Sequence, residues 1–170
     1  NINPFPYNYD ATHSIEDIIS NENSFADKNI IISSTGRIVS LRKMGKTSFA
    51  HIQDDIFKQQ IYLHKDSLES TQYDDIVRKL DIGDIIGIQG VIFKTKMGEL
   101  TIKASKLTLL AKNIRPLPNM KEKDGELFFS YDDKDLRYRN RHIDFIVNPT
   151  LKPKLSQKRD GILGNVCVVP

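Results

Sequence analysis

Between Asn29 and Leu110 the chain holds five short runs rich in β-branched and aliphatic residues, interrupted once by a stretch whose apolar residues fall at helical spacing. A period of two sends successive side chains to opposite faces of a strand, and a period near 3.6 gathers them on one side of a helix. The order β-β-β-α-β-β on about 80 residues leaves few folds open.

The first run, Asn29 to Lys43, carries Ile30, Ile31, Ile32, Ile38 and Val39 around Gly36, so a long strand bent near the glycine is expected. From Thr47 to Gln53, Ser48, Ala50 and Ile52 share one phase and Phe49, His51 and Gln53 the other; the first set is expected to face a core. On the return run Ile61 and Leu63 keep the inward phase while Gln60, Tyr62 and His64 point outward. A turn around Asp54 to Phe57 sets His51 across from Gln60 and Phe49 across from Tyr62. One face of this hairpin is therefore aromatic and polar.

Asp66 or Ser67 can cap the helix, whose stripe is Leu68, Tyr73, Ile76, Val77 and Leu80 and whose expected place is across one end of a small barrel. Gly83-Asp84 turns the chain into a strand from Ile85 to Lys94, with Gly87 and Gly90 as expected bends. Lys96-Met97-Gly98 makes the next hairpin turn. In the last strand Leu100, Ile102 and Ala104 alternate with Glu99, Thr101 and Lys103, and the phase slips at Ser105-Lys106, as a bulge would make it. The expected fold is mainly β, a five-stranded, partly open Greek-key barrel of the OB type with a helix between strands 3 and 4, plus flanking N- and C-terminal helices.

Outside the barrel the pattern divides the chain. Residues 1–28 read as an arm with Pro4 and Pro6, then a short helix capped by Ser14 with Ile15, Ile18 and Ile19 at helical spacing. Residues 29–112 are the barrel. Residues 113–149 are a linker and a helix: Arg115-Pro116-Leu117-Pro118 is stiff, 119–131 reads as a polar loop, and Asp132 or Asp133 caps a helix to about Val147. Residues 150–170 fit no pattern.

Charge and cysteine content bound the partners. A net charge of +3 and a pI near 8.9 permit a nucleic-acid partner without requiring one. The single cysteine, Cys167, forms no internal disulfide, and no apolar run of membrane-spanning length occurs, so a soluble, cytoplasmic chain without a membrane partner is expected. A start at Asn1 instead of Met points to a trimmed or partial sequence.

On the outward phase, Phe49 offers a plate for a base to stack on, and Gln60 and Glu99 carry groups able to read base edges. His51 lies on the same phase, and Arg42, Lys43 and Lys46 can hold phosphates beside the plate. The competing reading is a scattered surface aromatic beside a solvated basic hairpin. Gly87-Ile88-Gln89-Gly90 matches a backbone-clamping GxxG loop but sits between apolar strand residues, which favours barrel glycines. The four histidines are dispersed, the pairs Asp54-Asp55, Asp74-Asp75 and Asp132-Asp133 read as turn and cap residues, and no phosphate-binding loop, dinucleotide fingerprint or nucleophile elbow is present. No metal or cofactor site and no catalytic residue is expected.

Several segments together resemble one family. Gly36-Arg37-Ile38, Lys46-Thr47-Ser48-Phe49, Gln53-Asp54, Gly83-Asp84-Ile85-Ile86-Gly87, Phe93-Lys94-Thr95-Lys96, Gly98-Glu99-Leu100 and Arg115-Pro116-Leu117-Pro118 are similar, in this order, to the anticodon-binding domain of class II lysyl-tRNA synthetases. The likeness runs on through Arg137-Tyr138-Arg139 to Val147-Asn148-Pro149 and begins near Asn3-Pro4-Phe5-Pro6-Tyr7, about residues 1 to 149. The Lys94 to Leu100 hairpin favours the lysyl family over its aspartyl and asparaginyl relatives.

The resemblance implies binding of a uridine-rich tRNA anticodon, with Phe49 stacking on a base, Gln60 and Glu99 reading base edges, and Arg42 at the end of the first strand. For the full-length family it implies ATP-dependent attachment of lysine to tRNA, with ATP and Mg, in a homodimer. The catalytic motifs expected after Pro149 are not found in Thr150 to Pro170, so this chain alone is expected not to aminoacylate. Two other readings stay open: a stand-alone OB module for single-stranded nucleic acid, and a non-catalytic protein-interaction domain.

Overall fold

The longest strand, β1 (Ile31–Met44), is shared by both halves of a closed sheet. Its first half, Ile31 to Arg37, pairs antiparallel with β4 (Ile85–Lys94), and its second half, Arg37 to Met44, with β2 (Thr47–Asp54). Strand β2 turns back into β3 (Phe57–His64), which runs parallel to β5 (Leu100–Ala111), and β5 returns antiparallel to β4. The circuit β1-β2-β3-β5-β4-β1 is the five-stranded OB barrel, closed at β3–β5 by the three pairs from Gln60–Thr101 to Tyr62–Lys103. The computed structural model describes residues 6, 8–21, 30–68, 72–114, 120–123, 126–129, 133–148 and 151.

The alternation seen in the sequence is the alternation of burial. Ala50, Ile52, Ile61 and Leu63 are buried from the hairpin, Ile102, Ala104 and Leu107 from β5, and the residues between them are exposed or half-buried. Each fully buried isoleucine or leucine contributes about 1.5–3 kcal/mol over an exposed one. The β4–β5 ladder shifts register between Gln89–Lys106 and Gly90–Ala104, so Ser105 is the extra residue of a bulge where the phase slips.

Gly36 does not mark the irregularity of β1. The β1–β2 register shifts between Ile38 and Ser40 instead, and a Cβ at Gly36 would press on Ile52 and the Gln53 backbone, so this glycine permits close strand approach. Gly90 stands at the β4–β5 register shift, where the sequence predicts an irregularity, and Gly87 and Gly90 are also places of close contact. A Cβ at Gly90 would run into the Lys103 carbonyl, and one at Gly87 into the Tyr9 ring. Tyr9 is seated there by the Ser33 hydroxyl, which donates to its Oη at 3.1 Å, while Thr12 and His13 N–H groups donate to the Ser33 carbonyl.

A single-turn α2 (Gln72–Asp75) and a 3-10 turn at Val77–Lys79 pack where β1 turns into β2, and α1 (Ile15–Ser20) follows the segment whose Thr12 and His13 bond Ser33 near the start of β1. Ser14 and Asp17 form a reciprocal capping box, and Ile15 and Ile18 are fully buried. The expected stripe is realised, since Leu68, Tyr73, Val77 and Leu80 are buried, but its helix is short. A start at Asp66 or Ser67 is not realised among the described residues, where α2 begins at Gln72. Tyr73 pins this layer to the first hairpin: its hydroxyl donates to the Gly45 carbonyl at 2.9 Å and lies 3.0 Å from Ser48 Oγ.

Within 119–131 the structure places a hairpin in what reads as a polar loop: β6 (Met120–Lys123) and β7 (Glu126–Phe129), with β7 paired to β1 at Ser40–Phe128 and Leu41–Leu127. By contact the chain divides into two units, Asn1–Phe129 and Ser130–Pro170. In the second, the single helix expected from Asp133 to Val147 is two, α3 (Lys134–Arg139) and α4 (Arg141–Val147). Asn140, at φ −119° and ψ 57°, leaves the helical region between them. Asp144 of α4 is buried and accepts from Arg137, Arg141 and Asn148, each at 2.8 Å. The tail from residue 152 lies outside the described residues.

Candidate nucleic-acid interface

Register around the barrel decides which side chains meet. Residues opposite one another in a ladder share a face. Following the pairings, Ser40 of β1 lies beside His51 of β2, His51 beside Gln60 of β3, Gln60 beside Thr101 of β5, and Thr101 beside Phe93 of β4. Two residues along the strands, Arg42, Phe49, Tyr62 and Lys103 form the neighbouring row on the same face. Two adjacent rows thus cross the outer face, one mainly polar and one with an aromatic centre.

The aromatic part is continuous. The Phe49 and Tyr62 rings lie 5.1 Å apart at 56°, Tyr62 stacks at 6.0 Å on His64, and Phe93 meets Tyr62 edge-on at 6.0 Å. Phe49, Tyr62 and Phe93 are all half-buried, each with a ring supported from the side, so a flat ligand landing here costs little side-chain ordering.

The polar row is a connected chain of hydrogen bonds. Ser40 Oγ lies 2.7 Å from His51 Nδ1, and His51 Nε2 lies 3.2 Å from Glu99 Oε1. Gln60 donates through Nε2 to Glu99 Oε2 at 2.6 Å, and Thr101 donates through Oγ1 to Gln60 Oε1 at 2.6 Å. A carboxylate only accepts, so with the imidazole proton on Nε2 His51 donates to Glu99 and Nδ1 accepts from the Ser40 hydroxyl. Glu99 itself is held by its turn: Thr95 N–H donates to the Glu99 carbonyl, Glu99 N–H to Thr95 Oγ1, and Gly98 takes the positive φ of 85° that the turn needs. Its side chain stays 49% exposed, reachable from solvent.

Of the residues singled out in the sequence, Phe49, His51, Gln60, Glu99 and Arg42 come together on this face, with Arg42 exposed across the ladder from Phe49. Lys46 is exposed in the β1–β2 turn, outside both rows. Lys43 does not stand ready for a phosphate: its ammonium donates to the Arg78 and Leu80 carbonyls at 2.9 Å, and burial pushes its pKa down. Ser40, Thr101 and Phe93 complete the site beyond those first recognised, and Gln59 braces it from the inward side. Gln59 is buried on the inward phase and donates to the Leu100 carbonyl at 2.6 Å, tying β3 to the start of β5; a polar residue at an inward position was its signal. Among the described residues, no group of three or more His, Cys, Asp or Glu side chains converges as metal ligands, and no helix is long and apolar enough to cross a membrane.

Residues 32–110 match the family described as OB-fold nucleic acid binding domain, whose name refers to the tRNA anticodon. Over 151 residues, 89% of this chain, the sequence is 41% identical to lysine–tRNA ligases of Fusobacterium nucleatum and Pelotomaculum thermopropionicum, and 42% identical to that of Carboxydothermus hydrogenoformans. The chain spans less than a third of these relatives, 29%, 28% and 29% of their respective lengths.

Proposed function

We propose that this chain, whose residues 32–110 belong to the OB-fold nucleic acid binding family, recognises the anticodon of a lysine tRNA on the Phe49–Gln60–Glu99 face. One observation carries the reading. An aromatic ring that can stack on a base stands two residues along the strands from a preassembled amide and carboxylate that can hydrogen-bond a base edge, with the Arg42 cation in the same row. Stacking supplies sequence-tolerant affinity of about 1–3 kcal/mol per base, and the polar row supplies the discrimination. Arg42 and Lys46 would neutralise phosphates, which makes the affinity fall as salt rises.

As a portion of a longer lysine–tRNA ligase, the segment would position tRNA for ATP-dependent attachment of lysine. ATP and Mg would bind in the remainder of such a protein, which would act as a homodimer in the cytoplasm. Binding of a lysine-tRNA anticodon stem-loop, measured against unrelated single-stranded oligonucleotides at several salt concentrations, tests the reading. Preference for the stem-loop supports it. Equal binding of every oligonucleotide would instead favour a general single-strand module, and no binding at low salt would remove RNA recognition altogether.

A further inference from the structure

A third row lies two residues beyond Phe49 and Tyr62 on the same face: Met44 of β1, Thr47 of β2 and His64 of β3. The His64 ring lies nearly parallel to that of Tyr62, the planes 10° and the centroids 6.0 Å apart, and its side chain is 26% exposed. One ring nitrogen is occupied. The Asp66 N–H donates to Nδ1 at 3.2 Å, and the Asp66 carboxylate lies 3.8 Å from the same atom. A backbone N–H can only donate, so Nδ1 accepts and the neutral imidazole carries its proton on Nε2. Nε2 has no hydrogen-bond partner among the described residues and is not sealed from solvent. His64 thus ends the aromatic line with a solvent-reachable N–H donor and no acceptor beside it.

We propose that His64 is a phosphate-binding residue that, together with Lys46, holds the RNA backbone beside the base stacked on Phe49; this rests on the anticodon reading above. Chemistry selects the phosphate. The pairing edge of a base sets donors beside acceptors, and an imidazole whose Nδ1 is taken answers only the acceptors. A phosphate offers acceptors alone, and the hydrogen bond it receives is charge-assisted. Lys46 is exposed and directly precedes Thr47, the ladder partner of His64. Its carbonyl accepts from the Lys65 N–H at 3.0 Å, which ties the β1–β2 turn to the end of β3. An exposed ammonium and an N–H donor therefore stand at the same end of the face. Two residues of strand put His64 about 7 Å from the Phe49–Tyr62 pair, comparable with the length of one nucleotide. The two side chains differ in what they bring: Lys46 neutralises charge and releases a counterion, whereas neutral His64 fixes direction.

The test uses the 170-residue chain and lysine-tRNA anticodon stem-loops in which each loop phosphate in turn is replaced by an uncharged methylphosphonate. Affinities are measured for the wild type, for His64→Phe, which keeps a ring beside Tyr62 but has no N–H, and for His64→Gln, which keeps an N–H donor. In the wild type, replacement of one phosphate flanking the stacked base is expected to weaken binding about five- to tenfold. His64→Phe is expected to bind the unmodified stem-loop more weakly by a similar factor and to lose most of its sensitivity to that replacement, while His64→Gln keeps it. The slope of log affinity against log salt is expected to stay unchanged in His64→Phe and to become shallower by about 0.7 in Lys46→Ala. Equal sensitivity of the wild type and His64→Phe at every linkage, or full affinity of His64→Phe for the unmodified stem-loop, overturns the proposal. A wild type that does not bind the stem-loop at low salt refutes the underlying anticodon reading instead. Should His64→Phe fail to fold, the imidazole nitrogen shifts of the wild type decide. An Nε2 signal that moves with the unmodified stem-loop and not with the methylphosphonate one supports the site, and any other pattern overturns it.

Discussion

Gln60 Nε2 lies 2.6 Å from Glu99 Oε2, a contact that bridges β3 to the turn before β5 and exists without any RNA in place. The two groups expected to read a base are therefore already bonded to each other. Glu99→Gln keeps the shape but removes the charge that both His51 and Gln60 address. It is expected to relax discrimination at one anticodon base in stem-loop competition while leaving the fold intact; full discrimination in this variant would count against Glu99 as a reader.

Phe49 and Tyr62 share a ladder position, and the Phe49 ring remains only half-buried. Phe49→Ala is expected to weaken stem-loop binding by about 1–3 kcal/mol with little change in thermal stability. An unaltered affinity in the folded variant would remove the stacking role.

The opposite end of β4 is organised by Asp84, which is fully buried and accepts from Lys112 Nζ and from the Asp81 and Asn113 N–H groups, each at 2.8 Å. Lys112→Met leaves the Asp84 carboxylate with its N–H donors but without its bonded ammonium, and Lys43 remains within electrostatic range. A loss of about 1–3 kcal/mol in urea denaturation is expected. RNA affinity should hold, because Lys112 is in neither row of the face. Unchanged stability would show that the two N–H groups suffice.

Burial of Asp144 opposes its ionisation, but hydrogen bonds from Asn148 and Arg137 and the charges of Arg137 and Arg141 outweigh it and hold the pKa below the ordinary 3.8. A carboxyl lowered on folding stabilises the second unit above pH 3.8, and that contribution disappears as pH falls through the lowered value. Amide resonances of residues 134–147 are expected to lose dispersion in this acid window in the wild type, and Asp144→Asn is expected to abolish that dependence. An identical acid transition in both proteins would assign it to other groups.

What could be read in advance was what local pattern encodes. The Phe49–Tyr62 and His51–Gln60 pairs follow from strand phase and a short turn, the Ser105 bulge from a slip in alternation, and the Ser14 cap from residue type. What could not be read depends on partners distant in sequence. That Gly87 and Gly90 also make room for Tyr9 and the Lys103 backbone shows only once those partners are brought against them. The β6–β7 hairpin has two four-residue strands, too short to show alternation, and gains its place by pairing with β1 about 87 residues earlier. Thr101 was one outward residue among several; only the parallel β3–β5 pairing buries it under Gln60.

The most direct test of the central claim is a map of amide and side-chain NMR shifts as the lysine-tRNA anticodon stem-loop is titrated into the chain. The account predicts that the largest changes fall on Phe49, Tyr62, Gln60, Thr101 and Glu99 and that the Asp84 and Tyr73 regions stay still. Saturable binding that leaves this face unperturbed and shifts another surface would contradict it.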